Sequence, residues 1–238
     1  MRLALTLLAL LALTACAGRE SDVAVGPAPV CALPADLTPA PAEVGPADKV
    51  VADFSPDTYL LAIAWQPEAC RSRAADTSDP SACNGDRTWT LHGLWPNSDD
   101  GKHPRYCRPS QALSQATTAQ SFCMIPSARL QQHEWAAHGV CAWDSPEAYF
   151  ARAQTLWDAV NRPALDQETM TAGQLRDAFV AANPGLPRGS VAIATAPEGQ
   201  LREVRLCHDL AFKPAACAAK ALGARDDVLL TITPPNGR

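Results

Sequence analysis

The 238-residue chain has no surplus of positive charge: 20 lysines and arginines face 25 aspartates and glutamates, a formal charge of −5. Coating nucleic acid by phosphate neutralisation needs the opposite balance, so that class is excluded, although an enzyme gripping one or two nucleotides is not. No Cys-x-x-Cys pair occurs among the nine cysteines, which removes the spacing of zinc ribbons and thioredoxin-like redox sites. There is no internal repeat. Histidine is scarce, five in all, and no two stand four apart with Glu after the first, as the helix of a zinc protease requires. The apolar run from Leu3 to Ala15 falls short of the roughly 20 residues that cross a bilayer as a helix.

What is present fits a compartment that permits disulfides. Met1-Arg2 followed by that short apolar run suits an export signal. Leu13-Thr14-Ala15-Cys16 resembles a bacterial lipobox, which implies cleavage before Cys16 and acylation of its thiol. Ala15-Cys16-Ala17 also fits the A-x-A site of an ordinary signal peptidase, which would release a soluble protein. Both routes take Cys16 out of disulfide pairing and leave an even number of cysteines, as a disulfide scaffold needs. The expected organisation is an export signal over 1–17, an Ala/Pro-rich tether over 18–50 and one folded domain over 51–238. Cys31 within the tether offers a point where part of it is pinned to the domain. The expected location is the periplasm, with a monomer held to the outer membrane only through Cys16, or a soluble periplasmic or secreted form.

With 47% hydrophobic and 19% charged residues, the domain can bury a core. Tyr59 to Trp65 is a short continuous apolar run and predicts a strand buried on both faces. From Arg87 to His92 the residues alternate, with Trp89 and Leu91 on one face and Thr88, Thr90 and His92 on the other; this places His92 at a strand end before Gly93. Helices are predicted from Ser127 as N-cap to His138 with Gly139 as the stop, from Ser145-Pro146 to about Val160, and after a Thr171-x-x-Gln174 capping box that puts Leu175 and Phe179 on one face. Strands return at Ser190 to Thr195, Leu201 to Cys207 and Asp227 to Thr233, the first two joined by a turn at Pro197 to Gln200. Strands around helices without a βαβ rhythm predict an α+β fold, a central antiparallel sheet with packed helices.

Three of the five histidines lie in two segments, Leu91-His92-Gly93-Leu94-Trp95-Pro96-Asn97 and His133-Glu134-Trp135-Ala136-Ala137-His138-Gly139-Val140-Cys141. On a helix Glu134 and His138 share a face, whereas His133 and His138 point about 140° apart. Two imidazoles from separate elements with a carboxylate suit paired general acid and base work on one substrate. His103 and His208 read as structural or exposed, and Leu94, Pro96 and Trp135 as core and turn residues.

His-Gly-Leu-Trp-Pro and His-Glu-Trp-x-x-His-Gly-x-Cys resemble the two catalytic signatures of the ribonuclease T2 family, secreted acid endoribonucleases that include the plant S-ribonucleases. The resemblance covers roughly Tyr59 to Cys217. It implies a disulfide-stabilised α+β fold and cleavage of single-stranded RNA without metal or cofactor, the 2′-hydroxyl attacking its own 3′-phosphate to leave a 2′,3′-cyclic phosphate. By motif position it implies His138 as general base, His92 as general acid, His133 as phosphate ligand, Glu134 as a group that orients around the phosphate, and Trp95 and Asn97 as base contacts. It also implies the pairs Cys70–Cys83, Cys107–Cys141 and Cys207–Cys217, which leaves Cys31–Cys123; eight cysteines allow 105 connectivities, and spacing alone chooses none.

One position departs from the family. Where it usually carries Lys two residues after the Trp of the second motif, this chain has Ala137. Loss of one donor at the phosphorane costs about 10² to 10³ in rate, so the alternatives are a catalytically weak relative that binds RNA or nucleotides, or replacement by Arg129, Lys102, His103 or Arg105. The acidic balance predicts stronger RNA affinity at low pH.

Overall fold

The computed structural model describes residues 31–52, 55–72, 83, 87–98 and 103–235. The expected export signal, the acylation site Cys16, the first part of the tether and Lys102 lie outside them.

The central sheet has four antiparallel strands in the order β2-β1-β5-β4, namely β2 (Trp89–Asn97), β1 (Thr58–Trp65), β5 (Leu201–His208) and β4 (Val191–Thr195). The chain is α+β. Among the described residues five α-helices pack around the sheet: α1 (Gln66–Ser72), α2 (Gln115–Ser121), α3 (Ala128–Ala137), α4 (Pro146–Asp158) and α5 (Ala172–Ala182). The continuous apolar run forms β1, an interior strand with Tyr59 to Trp65 all buried. Its odd-numbered residues join the main core with Trp135, Tyr149, Phe150, Leu175 and Phe179 of the helices. Its even-numbered positions include two alanines, Ala62 and Ala64, whose small size matters below.

Helix starts follow their caps. The hydroxyls of Ser127 and Ser145 accept from the backbone N–H of Leu130 and Ala148, and Thr171 and Gln174 form both halves of a capping box. Gly139 does not stop α3 as a left-handed residue. His138 is the C-cap, and Gly139 opens a short 3-10 turn to Cys141. Glycine is needed there for space, since a Cβ would come within 2.4 Å of the Trp135 ring.

Two strand predictions need correction. β2 runs past His92 to Asn97, accommodating Pro96 because it is an edge strand with one side free of ladder bonds. The predicted strand at Asp227 to Thr233 shortens to β6 (Leu229–Thr231), which pairs with β3 (Thr169–Thr171) and makes a single parallel bridge from Thr231 to Gln200. Asp227 is tied to Arg225, and Val228 N–H closes a turn onto the Arg225 carbonyl. Disulfides join Cys31–Cys123, Cys70–Cys83, Cys107–Cys141 and Cys207–Cys217. Residues 31–52, most of them expected to belong to the tether, run along the domain instead, fixed by Cys31 and by a two-way backbone bridge between Val51 and Arg105.

Candidate active site

The pairing of β1 with β2 steps from Ala62 opposite Gly93 to Ile63 opposite Leu91, leaving His92 as an extra, bulged residue. On a regular strand His92 and Trp95, three apart, would face opposite sides. The bulge resets the alternation. Leu91 and Leu94 both enter the core at 0% exposure, while the rings of His92 and Trp95 meet in the cleft, 5.1 Å apart. Gly93 must be glycine for space: a Cβ would lie 1.8 Å from Glu134 Oε2.

Across β1, Arg205 and Glu203 of β5 stand opposite Ala62 and Ala64. Strands two apart in a sheet are separated by roughly 9.5 Å. The two alanines leave the surface above β1 open, so His92 of β2 reaches over it to Glu203 of β5, with Nδ1 2.7 Å from Oε1. Arg205 Nε donates to the other oxygen at 2.9 Å. Burial pulls the Glu203 carboxyl upward, yet the hydrogen bond and charge of His92, followed by Arg205, bring it down to about 2. An ionised carboxylate at Nδ1 assigns the proton to that nitrogen and leaves Nε2 for chemistry. Nε2 lies 3.5 Å from Glu134 Oε1.

Glu134 is fully buried on α3, and its Oε2 accepts from Trp95 Nε1 at 2.7 Å. Burial raises its carboxyl, and the charges of His92 and His133 partly oppose that rise. His138 departs from the helical prediction. As C-cap it takes φ −125 and ψ −47 while its N–H still reaches the Glu134 carbonyl at 3.0 Å. That swing carries its ring to 6.5 Å from the His133 ring, where an unbroken helix would have pointed the two far apart. His138 also lies 5.4 Å from the Trp95 ring. Burial holds its imidazole well below the ordinary range, with Arg105 the next cause. His133 Nδ1 is 2.9 Å from Glu43 Oε1, and Tyr106 OH donates to the same oxygen at 2.9 Å.

His92, His133, Glu134, His138 and Trp95 are thus brought together, whereas Asn97 is not. It is buried, donates from Nδ2 to Thr58 Oγ1 and accepts from Asp57 N–H, so it closes the end of the β1–β2 pair instead of facing the cleft. Trp95 is also more engaged than a bare base platform: Arg205 Cζ sits 5.0 Å from its ring centre, and both imidazoles lie against it. Ala137 is fully buried in a small cluster with Tyr106 and Ala136. Of the substitute cations considered, Arg105 and His103 act on His138, Arg105 the more strongly. Arg129 is exposed at the start of α3. His208 is buried, with Nδ1 at the Leu206 carbonyl, a structural histidine.

Glu203, Glu43 and Tyr106 were not foreseen. Glu203 follows one arginine and precedes another by two residues in a strand-like run, a weak signal of a charged face. Glu43 sits in a proline-rich stretch with no periodicity at all. Beside His92 a cavity of about 240 Å³ opens between Thr90, Trp95, Leu130, Arg202 and Arg205, with the Glu203 carboxylate between the two guanidiniums.

The Ribonuclease T2 family model matches residues 56–217. A probable ribonuclease of Haemophilus influenzae is 30% identical over 177 residues, 69% of this chain and 62% of that protein. The match therefore spans less than two thirds of that relative's length. Among solved structures, an RNase-related protein from Calystegia sepium superposes with a TM-score of 0.60 at 18% identity, covering 75% of this chain and 97% of that one. RNase NT in complex with 5′-AMP superposes with a TM-score of 0.58 at 22% identity, covering 76% of this chain and 100% of that one. These likenesses extend to the fold.

Proposed function

Since the chain belongs to the ribonuclease T2 family, we propose that it is an endoribonuclease that cleaves single-stranded RNA by transphosphorylation, without a metal ion. The observation that carries this reading is the pairing of two imidazoles against one indole, one bound to an ionised carboxylate and the other kept neutral by burial. His138 takes the proton from the ribose 2′-hydroxyl, and the 2′-oxygen then bonds to phosphorus. The bond from phosphorus to the 5′-oxygen breaks, and His92, protonated on both nitrogens with its Nδ1–H on Glu203, gives the Nε2 proton to that oxygen. The products are a 2′,3′-cyclic phosphate and a 5′-hydroxyl. His133 and the charge of Arg105 stabilise the crowded phosphorane, a role in which fixed donors are worth more than water. Glu134 holds Trp95 and faces His92, keeping the acid in line. Because the nucleophile belongs to the substrate, DNA is not cut.

A nucleotide-binding relative with little turnover is the second reading, favoured by the buried methyl of Ala137. The oxidised chain incubated with RNA in EDTA at about pH 5 is expected to yield fragments ending in 2′,3′-cyclic phosphate. A folded sample that binds 5′-AMP but leaves RNA intact would decide for the second reading.

We infer as well that the protein works outside the cytoplasm, in the periplasm and anchored through Cys16. Four disulfides support an oxidising compartment. Cell fractionation should find the wild-type chain with membranes and a Cys16→Ser variant in the soluble fraction; an equal distribution of the two would refute the anchor.

A further inference from the structure

Glu43 stands 13 residues before the first residue matched by the family, at position 56, yet its carboxylate meets the second histidine motif. We propose that it is a positioning residue of the active site, holding His133 by Nδ1, so that the N-terminal arm is a working part of the RNA-cleaving centre. The proposal rests on the ribonuclease reading for its kinetic consequence and on geometry for the contact.

The arm is fixed on both sides of Glu43. Before it, Cys31 is bonded to Cys123 and the Leu37 carbonyl accepts from Gln115 Nε2 at 2.9 Å. At Glu43 itself the backbone carbonyl accepts from Ser110 Oγ at 2.9 Å. After it, Val51 and Arg105 exchange two backbone hydrogen bonds, at 2.8 and 3.1 Å. Gly45 lies so close to Tyr106 that a Cβ would come within 2.3 Å of its ring. Tyr106 is thus clasped between Gly45 and the end of α3, where it packs on Ala136 and Ala137 and its N–H caps the Ala137 carbonyl at 2.9 Å.

Two donors converge on one carboxylate oxygen, His133 Nδ1 and Tyr106 OH, each at 2.9 Å. An ordinary surface ion pair joins two free side chains and contributes little. Here the backbone of one partner is anchored around the contact, His133 sits on a capped helix, and both side chains are about two-thirds covered, 34% and 29% exposed. A carboxylate at Nδ1 accepts the proton of that nitrogen and fixes the ring about it, and the ring so held lies 6.5 Å from that of His138. A second histidine of the site thereby receives the arrangement that Glu203 gives His92, a carboxylate on Nδ1 that holds the ring.

The test uses the full mature chain with Glu43→Gln, which keeps the shape, and Glu43→Asp, which keeps the charge. Glu43→Gln is expected to lower kcat on RNA roughly tenfold to a hundredfold, by analogy with losing the hydrogen-bond partner behind a metal-bound histidine, with KM changed little and Glu43→Asp recovering part of the loss. Nitrogen NMR of the His133 imidazole should show the proton on Nδ1 in the wild type and a redistributed tautomer in Glu43→Gln. Unchanged kcat in Glu43→Gln would overturn the proposal, and a raised kcat would instead make the arm an obstruction. If the wild type does not cleave RNA, the ribonuclease reading fails by itself. The NMR comparison still decides the contact, since identical tautomers in both chains would refute it.

Discussion

Alanine in place of His138 is expected to lower kcat for RNA cleavage by roughly 10² to 10⁴, the usual worth of a positioned general base, and His92→Ala to do the same. The structure adds a pH signature. A base works only when unprotonated, and burial, followed by the charge of Arg105, holds the His138 imidazole well below its ordinary value of 6.5. The acid limb of kcat/KM should therefore fall below that value, leaving the enzyme competent in acid where an exposed histidine would be protonated. Stability follows a related rule. For His138 the lowered folded value means stability present above 6.5 and lost as pH falls through the folded one. Glu203, held at about 2, contributes stability present above the usual carboxylate range and lost as pH drops toward 2. Glu134 works the other way, because burial raises its carboxyl and protonation relieves it. A kcat/KM profile whose acid limb lies at or above 6.5, or a His138→Ala chain that retains wild-type turnover, would remove His138 from the role of base.

Ala137→Lys is expected to harm the protein, although it restores the residue most of the family carries. Position 137 has no exposed surface, its methyl packs on Tyr106, and its carbonyl is capped by Tyr106 N–H. A lysine stem there must displace Tyr106 and with it the hydroxyl that shares Glu43 with His133. Overpacking of this kind costs about 1–3 kcal/mol before any charge is buried, which corresponds to a fall in Tm of roughly 2–12 °C for a domain of this size. Turnover should fall along with it. Calorimetry showing an unchanged Tm, together with faster RNA cleavage, would mean that the cluster around Tyr106 opens readily and that the site lacks a cation. The expected result instead places Ala137 and Tyr106 as a matched pair, with Arg105 supplying the charge.

Much of this was legible locally. The run from Tyr59 to Trp65 announced an interior strand because it offers no polar face, and Ser127, Ser145 and Thr171 announced helix starts because their hydroxyls cap the first free N–H groups. α1 and α2 were missed: Gln115–Ser121 is almost wholly polar and uncharged, so no hydrophobic period marks it, and its Ser114 cap is one serine among many. The two histidine motifs named the residues, but not the reasons they meet. The bulge at His92 exists only against β1, the turn of His138 toward His133 depends on its leaving helical geometry, and Glu203 acquires its role only because Ala62 and Ala64 are small. Glu43 carried no signal, since a carboxylate in a proline-rich stretch acquires meaning only from what it touches.

The spread of the site along the chain also governs when it can begin to work. His92 and Glu203 are separated by 111 residues, Trp95 and Glu134 by 39, and His133 and Glu43 by 90. Distant contacts of this kind close late, after the local helices have formed. A nascent chain that has passed both histidine motifs still lacks Glu203, so it holds the acid and the base without the partner that fixes the acid. Under the ribonuclease reading, the centre is completed only when β5, near the end of the fold, has paired with β1.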